Sequence, residues 1–263
     1  MLKLTALALA GGYAGLMGLT RATYRTLLYP APRRGLEWAP EGAELRHYPT
    51  DDGATVQLAV YPGGGKALIV YFHGNGESIA DSVPLAREMQ RRGLGFVAVE
   101  YRGYGRSPTD DPTEEGLYAD AEGALTGLRA DGLGDAAVTL WGNSLGTGVA
   151  VEMATRGHGS GLILQAPYTS IPDVAARIAP FLPTRLLIGD RFDSFGKAPS
   201  ITLPTLVIHG DADRVVPYDM GVTMAEAIAG ATLLTVESGG HNDVFVHDRA
   251  RLLDAIVAHC TPE

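Results

Sequence analysis

The chain reads TLWGNSLGTGVAVEM over residues 139–153, where an apolar run meets a helix-like segment and Ser144 lies between two glycines. Glycine inside regular structure costs backbone entropy, so Gly142 and Gly146 require a reason. A serine in a sharp strand-to-helix turn is held in a strained conformation that exposes its hydroxyl, and flanking glycines keep side chains out of that crowded turn. The stretch therefore indicates a nucleophilic serine, with an ordinary glycine-punctuated turn as the alternative.

Around this stretch, short β-rich runs alternate with helix-like segments. The third, fourth, sixth and seventh runs are almost continuously apolar, as expected for strands buried on both faces of a parallel sheet. The first two runs are joined by Thr-Asp-Asp-Gly, which is a hairpin signal. We predict one α/β domain with a doubly wound, mostly parallel sheet of about eight strands. The predicted strands are 43–49, 55–62, 67–73, 95–101, 137–142, 161–167, 205–210 and 232–237, and the predicted helices are 78–92, 114–130, 145–156, 219–229 and 248–259.

Residues 171–200, before the seventh predicted strand, contain no strand pattern and four prolines. We expect one or two short helices there, which form either a plain connection or a small lid over a pocket. The apolar residues of this insert either line an acyl pocket or pack a short helix in the ordinary way. They are Ile178, Phe181, Leu182, Leu186 and Leu187.

A serine nucleophile needs a base and an acid that orients the base. Asp211 and Asp213 follow the seventh strand in HGDADRVVP (209–217), and His241 follows the eighth in ESGGHNDVF (237–245). In parallel strands these ends meet at one edge of the sheet. His241 would take the proton from Ser144, and a carboxylate would fix its tautomer. The plain alternatives are a solvated histidine in a glycine loop and aspartates that cap a turn.

An oxyanion hole needs two N–H donors. Leu145 directly follows the serine and supplies one of them. The second is expected from the loop after the third strand, YFHGNGESIA (71–80), where glycines on both sides of Asn75 allow close approach of the backbone. We assign it to Asn75, with a plain turn as the alternative, and we expect His73 to fix this loop through a hydrogen bond.

Composition restricts the classes of function. The 263 residues carry a formal net charge of -9, which argues against a nucleic-acid partner. One cysteine, Cys260, excludes an internal disulfide, and its place near the C-terminus indicates an inert thiol. The sequence has no Cys/His cluster, no H-E-x-x-H and no G-x-G-x-x-G, so we expect neither a metal nor a cofactor.

The N-terminal segment differs from the rest of the chain. Residues 4–20 carry no charge, and residues 1–36 contain five basic residues and no acid. A stretch of this length is at the short end of what spans a bilayer. We predict a membrane anchor within residues 1–26 and a catalytic domain over 27–263, with the domain cytoplasmic by the positive-inside rule. An exported protein and a helix lying on the domain are the alternatives.

Six ordered motifs together resemble the α/β-hydrolase superfamily, in particular a membrane-associated, small-lid branch that includes protein depalmitoylases. The LLYPAPR stretch (27–33) also resembles the entry to that branch's domain. Where the branch usually has Asp before its Tyr-Arg, this chain has Glu100. The motifs are HGNG (73–76), YRGYGRS (101–107), GNSLGTGVA (142–150), APYTS (166–170), HGDADRVVP (209–217) and GGHND (239–243).

The resemblance implies an α/β-hydrolase fold with Ser144 as nucleophile, Asp213 rather than Asp211 as acid, and His241 as base. It also implies that Asn75 and Leu145 donate to the oxyanion. The expected function is a serine hydrolase that cleaves carboxylic esters or thioesters through an acyl-enzyme, on small-molecule, lipid or acylated substrates. The alternatives are an amidase or aminopeptidase with the same triad, and a non-catalytic binding protein on a hydrolase fold.

Overall fold

The computed structural model describes residues 2–31, 39–63, 67–105, 111–133 and 137–261. Within these ranges, eight strands form one sheet. All eight predicted strands are present, and their ends differ from the prediction by at most two residues. The strands are β1 (Glu44–Pro49), β2 (Thr55–Tyr61), β3 (Ala67–Phe72), β4 (Gly95–Glu100), β5 (Ala137–Asn143), β6 (Gly161–Gln165), β7 (Thr205–Gly210) and β8 (Thr232–Val236).

The order of strands across the sheet is β1-β2-β4-β3-β5-β6-β7-β8. The pairs β1/β2 and β2/β4 are antiparallel, and the remaining neighbours are parallel. The predicted hairpin between β1 and β2 is confirmed, with Gly53 in the left-handed region at φ 88°. The parallel strands β3 to β8 therefore end at the same edge, where the sequence places the candidate catalytic residues.

The predicted helices are also present, and shorter ones accompany them. Helix α2 begins five residues later than predicted, because Asp81 accepts hydrogen bonds from the backbone N–H and the hydroxyl of Ser78 and holds residues 78–82 in turns. Within the described ranges the helices are α1 (Leu2–Leu28), α2 (Val83–Arg91), α3 (Glu114–Ala130), α4 (Leu145–Thr155), α5 (Ile171–Ile178), α6 (Thr184–Leu187), α7 (Ser194–Lys197), α8 (Tyr218–Ala227), α9 (Val244–His247) and α10 (Arg249–Cys260).

Apolar side chains cover both faces of the sheet, since successive residues of a strand point to opposite sides. On β5, Leu140 belongs to one buried cluster, together with residues of α3 and α4. Its neighbour Trp141 belongs to the other cluster, together with residues of α2 and α10. Burial on both faces explains the continuous apolar runs of the central strands.

The insert over 171–200 contains α5, α6, α7 and a 3₁₀ turn (Ala198–Ser200), and we call it the cap. Helix α1 runs past the predicted boundary at residue 26, and Tyr13 donates a hydrogen bond to the carbonyl oxygen of Phe181 in the cap at 2.7 Å. Leu7, Leu9 and Leu19 of α1 are exposed. Among the helices of the described ranges, α1 included, none is long and apolar enough to cross a membrane. Membrane attachment through residues 4–20 stays a prediction.

Candidate active site

Ser144 lies in a strained turn between β5 and α4. Its backbone has φ 49° and ψ −115°, which is unusual for a residue with a side chain. The turn is closed by a hydrogen bond from the N–H of Ser144 to the carbonyl oxygen of Gln165 on β6, at 2.9 Å. A Cβ on Gly142 would lie 2.4 Å from the carbonyl oxygen of Gly146, and a Cβ on Gly146 would lie 2.1 Å from that of Phe72. Both glycines are therefore required by close backbone contacts, Gly142 within the turn and Gly146 against the end of β3.

The structure brings Ser144, His241 and Asp213 together, although 97 residues separate the serine from the histidine. The Oγ of Ser144 is 2.9 Å from Nε2 of His241. The Nδ1 of His241 is 2.7 Å from Oδ2 of Asp213. Asp211 lies elsewhere, because its Oδ1 accepts a hydrogen bond from the backbone N–H of Ser238. Two hydrogen bonds therefore link the three side chains in a chain, and Asp213 rather than Asp211 is its carboxylate.

Several donors surround the carboxylate of Asp213, whose side chain is fully buried. Its Oδ1 accepts hydrogen bonds from the N–H groups of Val215 and Val216, at 2.8 and 3.0 Å. Nε2 of His209 lies 3.3 Å from Oδ2. Burial of Asp213 opposes its ionisation, but the hydrogen bonds from His209, His241 and the backbone outweigh burial and hold the pKa of this carboxyl well below its usual range. Asp213 is thus ionised and can stabilise a positively charged His241.

The two predicted oxyanion donors, Asn75 and Leu145, line the same cavity as Ser144. Leu145 is the first residue of α4, so its N–H has no carbonyl one turn earlier within the helix. Among the hydrogen bonds of the described residues, none engages the N–H of Asn75 or Leu145. The loop that carries Asn75 is fixed by Glu77, which accepts hydrogen bonds from the N–H of Gly74 at 2.7 Å and from the side-chain amide of Asn143.

Known proteins match most of the chain. The family model described as serine aminopeptidase S33 matches residues 63–188, and the one described as TAP-like protein matches residues 191–254. An uncharacterized protein of Mycobacterium tuberculosis is 34% identical over 212 residues, which are 79% of this chain and 75% of the relative. Alpha/beta hydrolase domain-containing protein 17B of Homo sapiens is 32% identical over 182 residues, or 68% of this chain and 62% of the relative. The chain belongs to the α/β-hydrolase superfamily.

Solved structures of esterases share the fold of this α/β-hydrolase. The Pyrococcus furiosus esterase Pf2001 superposes with a TM-score of 0.73 at 16% identity and covers 87% of this chain and 97% of its own. The esterase EaEST of Exiguobacterium antarcticum has a TM-score of 0.65 at 23% identity and covers 81% and 98%. The predicted α/β-hydrolase fold is confirmed, and the family assignment supports a hydrolase.

Two supporting groups of this hydrolase were not assigned a role from the sequence. His209 of β7 places its Nε2 3.0 Å from the carbonyl oxygen of Val216 and 3.3 Å from the carboxylate of Asp213, and Glu77 holds the loop that carries Asn75. The sequence gives no signal that His209 lies beside Asp213, because this contact requires the turn over residues 210–216 to fold back toward β7. Glu77 follows the HGNG motif by one residue, so its proximity to that loop was open to prediction.

His73 and Glu100 form a buried pair beneath the same loop. Nδ1 of His73 lies 2.9 Å from the carbonyl oxygen of Gly74, and Nε2 lies 3.2 Å from Oε1 of Glu100. The expectation that His73 fixes the loop is confirmed. Burial disfavours the charged imidazole, but the carboxylate of Glu100 outweighs burial and raises the pKa of His73. Glu100 also accepts a hydrogen bond from the N–H of Ile79, so it serves as a structural residue.

Two cavities meet at the candidate triad. One has a volume of about 560 Å³, includes Ser144, and is lined mostly by apolar side chains of the cap and of α1. The other has a volume of about 440 Å³ and is more polar, with Glu77, Asp81 and Arg249 among its lining residues. His241 lines both cavities. An apolar cavity and a more polar cavity therefore lie on two sides of the candidate catalytic residues.

The apolar residues of the cap do not all face this site. Ile178 and Leu182 line the apolar cavity, although Ile178 is also largely exposed to solvent. Phe181 and Leu186 are exposed and do not line it, and Leu187 is buried. An acyl-pocket role is therefore open to the first two alone.

Neither a cysteine nucleophile nor a metal site is found among the described residues outside the candidate triad. Cys260 is buried in α10, and burial raises the pKa of its thiol to about 11, so it is a weak nucleophile at neutral pH. Within the described residues, no group of three or more His, Cys, Asp or Glu side chains is arranged to hold a metal ion.

Proposed function

We propose that the protein is a serine hydrolase that cleaves carboxylic esters or thioesters through an acyl-enzyme. The observation that carries this proposal is the hydrogen-bonded relay from Ser144 through His241 to Asp213, with the serine held at φ 49°. A serine hydroxyl is a weak nucleophile at neutral pH, and a base within hydrogen-bonding distance activates it. The ionised carboxylate of Asp213 favours the tautomer of His241 that carries its proton on Nδ1 and leaves Nε2 free to accept.

The reaction follows from this geometry in two halves. Oγ of Ser144 attacks the carbonyl carbon while its proton moves to Nε2 of His241, and a tetrahedral oxyanion forms. The N–H groups of Asn75 and Leu145 donate hydrogen bonds to that oxyanion. Each such donor lowers the activation free energy by about 3–4 kcal/mol. The oxyanion collapses, and His241 returns the proton to the departing alcohol or thiol. A water molecule, deprotonated by His241, then attacks the acyl-enzyme and releases the acid.

A second candidate reaction uses the same side chains on an amide bond. The matching family model is described as serine aminopeptidase, which favours this candidate for residues 63–188. An amine is a poorer leaving group than an alcohol, so amide cleavage depends more strongly on protonation by His241. The two candidates are separated by comparing matched p-nitrophenyl esters, thioesters and p-nitroanilides of the same acid.

The experiment that tests the proposal uses the full chain, its Ser144→Ala variant and a Ser160→Ala control. Ser160 precedes β6 and therefore lies at the opposite edge of the sheet from Ser144. We expect a fluorophosphonate to label the unaltered protein and the control alone, and kcat for p-nitrophenyl esters to fall about 10⁴-fold or more in Ser144→Ala. A folded protein that neither labels nor hydrolyses esters, thioesters or anilides would contradict the proposal and leave a binding role.

A further inference from the structure

Helix α1 contributes one wall of the apolar cavity that contains Ser144. Four of its side chains line the cavity: Thr20, Tyr24, Leu27 and Leu28. Residues at this spacing lie along one stripe of a helix, so a single face of α1 is turned toward the site. The sequence shows that this segment is apolar, but it does not show which part of the domain the segment contacts.

A buried carboxylate holds this face of α1 in position. Oδ2 of Asp190 accepts hydrogen bonds from the hydroxyl of Tyr24 at 2.9 Å and from Nε of Arg25 at 2.7 Å. Its Oδ1 accepts the N–H of Glu114, at the start of α3. Arg21 adds a hydrogen bond to the carbonyl oxygen of Leu187, at 3.0 Å. Asp190 of the cap thus joins α1 to the start of α3 in the main body of the domain.

The remaining lining of the cavity comes from the cap and the candidate catalytic loops. Val174, Ala175 and Ile178 of α5 present apolar side chains, and Ser144 and His241 present the reacting groups. An apolar space that is continuous with a nucleophilic serine suits the hydrocarbon part of an acyl group, because burial of apolar surface favours binding. No charged side chain of α1 is among the residues that line it.

We propose that α1 forms part of the acyl-binding subsite and sets the length of the acyl chain that this enzyme accepts, with Asp190 as a positioning residue. The inference rests on the proposed hydrolase function and names the part of the substrate that the apolar cavity binds. Each methylene that enters the cavity increases kcat/KM roughly fourfold, until the chain reaches the end of the available space.

The first test places a large side chain on the cavity-lining stripe. Leu27 is 77% exposed although it lines the cavity, so Leu27→Trp is compatible with folding. Thr26→Trp is the matched control, because Thr26 is exposed on the same turn and is absent from the cavity lining. The substrates are p-nitrophenyl acetate, butyrate, octanoate and decanoate. We expect kcat/KM for the decanoate ester, divided by kcat/KM for the acetate ester, to fall at least tenfold in Leu27→Trp and to stay unchanged in Thr26→Trp.

The second test concerns the positioning role of Asp190. Arg25→Met removes its cationic partner on the exposed side, where the Arg25 side chain is half-exposed. We expect KM for decanoate to rise severalfold more than KM for acetate while kcat changes little, and Arg25→Lys to recover part of the difference. Equal effects on both substrates would indicate a structural role only and would overturn the assignment of Asp190.

A binding measurement separates failure of this proposal from failure of the hydrolase proposal. In the Ser144→Ala background, calorimetric titration with decanoate is expected to give a Kd at least tenfold higher for Leu27→Trp than for Thr26→Trp. If no ester is hydrolysed but this difference is present, the acyl subsite stands and the catalytic proposal fails. If esters are hydrolysed and neither tryptophan substitution changes the dependence of kcat/KM on chain length or the Kd for decanoate, α1 has no role in the subsite.

Discussion

Replacing Asp213 by asparagine should remove most activity while leaving the shape of the site intact. Oδ1 of Asp213 accepts two backbone N–H groups, from Val215 and Val216. In Asp213→Asn the amide oxygen has to remain there, since an NH₂ group in its place would face two donors. The NH₂ group then occupies the place of Oδ2, which is 2.7 Å from Nδ1 of His241. It donates to Nδ1, and the neutral imidazole carries its proton on Nε2 instead.

An imidazole with its proton on Nε2 cannot accept the proton of Ser144, which lies 2.9 Å away on that side. The loss of kcat known for this wrong-tautomer situation in the serine-protease triad is about 10⁴-fold. That factor corresponds to about 5.5 kcal/mol of activation free energy. The assay is p-nitrophenyl butyrate hydrolysis at neutral pH, together with the rate of fluorophosphonate labelling, because labelling depends on the same activation of Ser144.

Asp211→Asn is the matched control, because it makes the same chemical change two residues earlier at a carboxylate that contacts Ser238 instead of His241. We expect it to keep kcat within a few-fold of the unaltered enzyme. If Asp213→Asn kept activity within tenfold, or if both variants lost activity equally, the tautomer argument and the choice of Asp213 would be refuted. Circular dichroism and urea unfolding check that each variant is folded.

Two further predictions concern the framework of the site. Gly146→Ala places a methyl group 2.1 Å from the carbonyl oxygen of Phe72, so we expect a loss of about 1–3 kcal/mol in the free energy of unfolding by urea. Gly11→Ala, where nothing lies within 4 Å, should not destabilise the protein, and equal effects at the two sites would contradict the packing argument. Glu100→Gln should lower the pKa of His73 below its value in the unaltered protein, measured by NMR of the imidazole, because burial remains while the carboxylate is lost. The raised pKa means that protonation of His73 stabilises the fold at pH below about 6.5, and that this stabilisation decreases as the pH rises through the pKa of the folded protein. The free energy of unfolding lost in Glu100→Gln should therefore be largest at acidic pH. A loss that does not depend on pH would contradict this prediction.

Local signals were sufficient for the framework of the fold and for the candidate nucleophile. The continuous apolar runs of β3, β4, β6 and β7 reflect burial on both faces, which depends on the composition of each run alone. The strained turn at Ser144 was predicted from the two glycines that flank the serine in the sequence, and the structure gives the reason for them: a Cβ at either position would meet backbone atoms of the same turn or of the adjacent strand β3. Parallel strands end at one edge of the sheet, so the order serine, aspartate, histidine along the chain already indicated where the three residues meet.

The tertiary structure alone decided which groups support the site from a distance. Nothing in the sequence near Asp190 shows that it binds Tyr24 and Arg25, which lie 166 and 165 residues earlier. The same holds for α1, whose apolar composition is compatible with a membrane anchor, an exported segment or a helix lying on the domain. Hydropathy records how apolar a segment is but not which surface covers it. The packing of α1 against the cap, and the cavity that results, depend on contacts between distant parts of the chain.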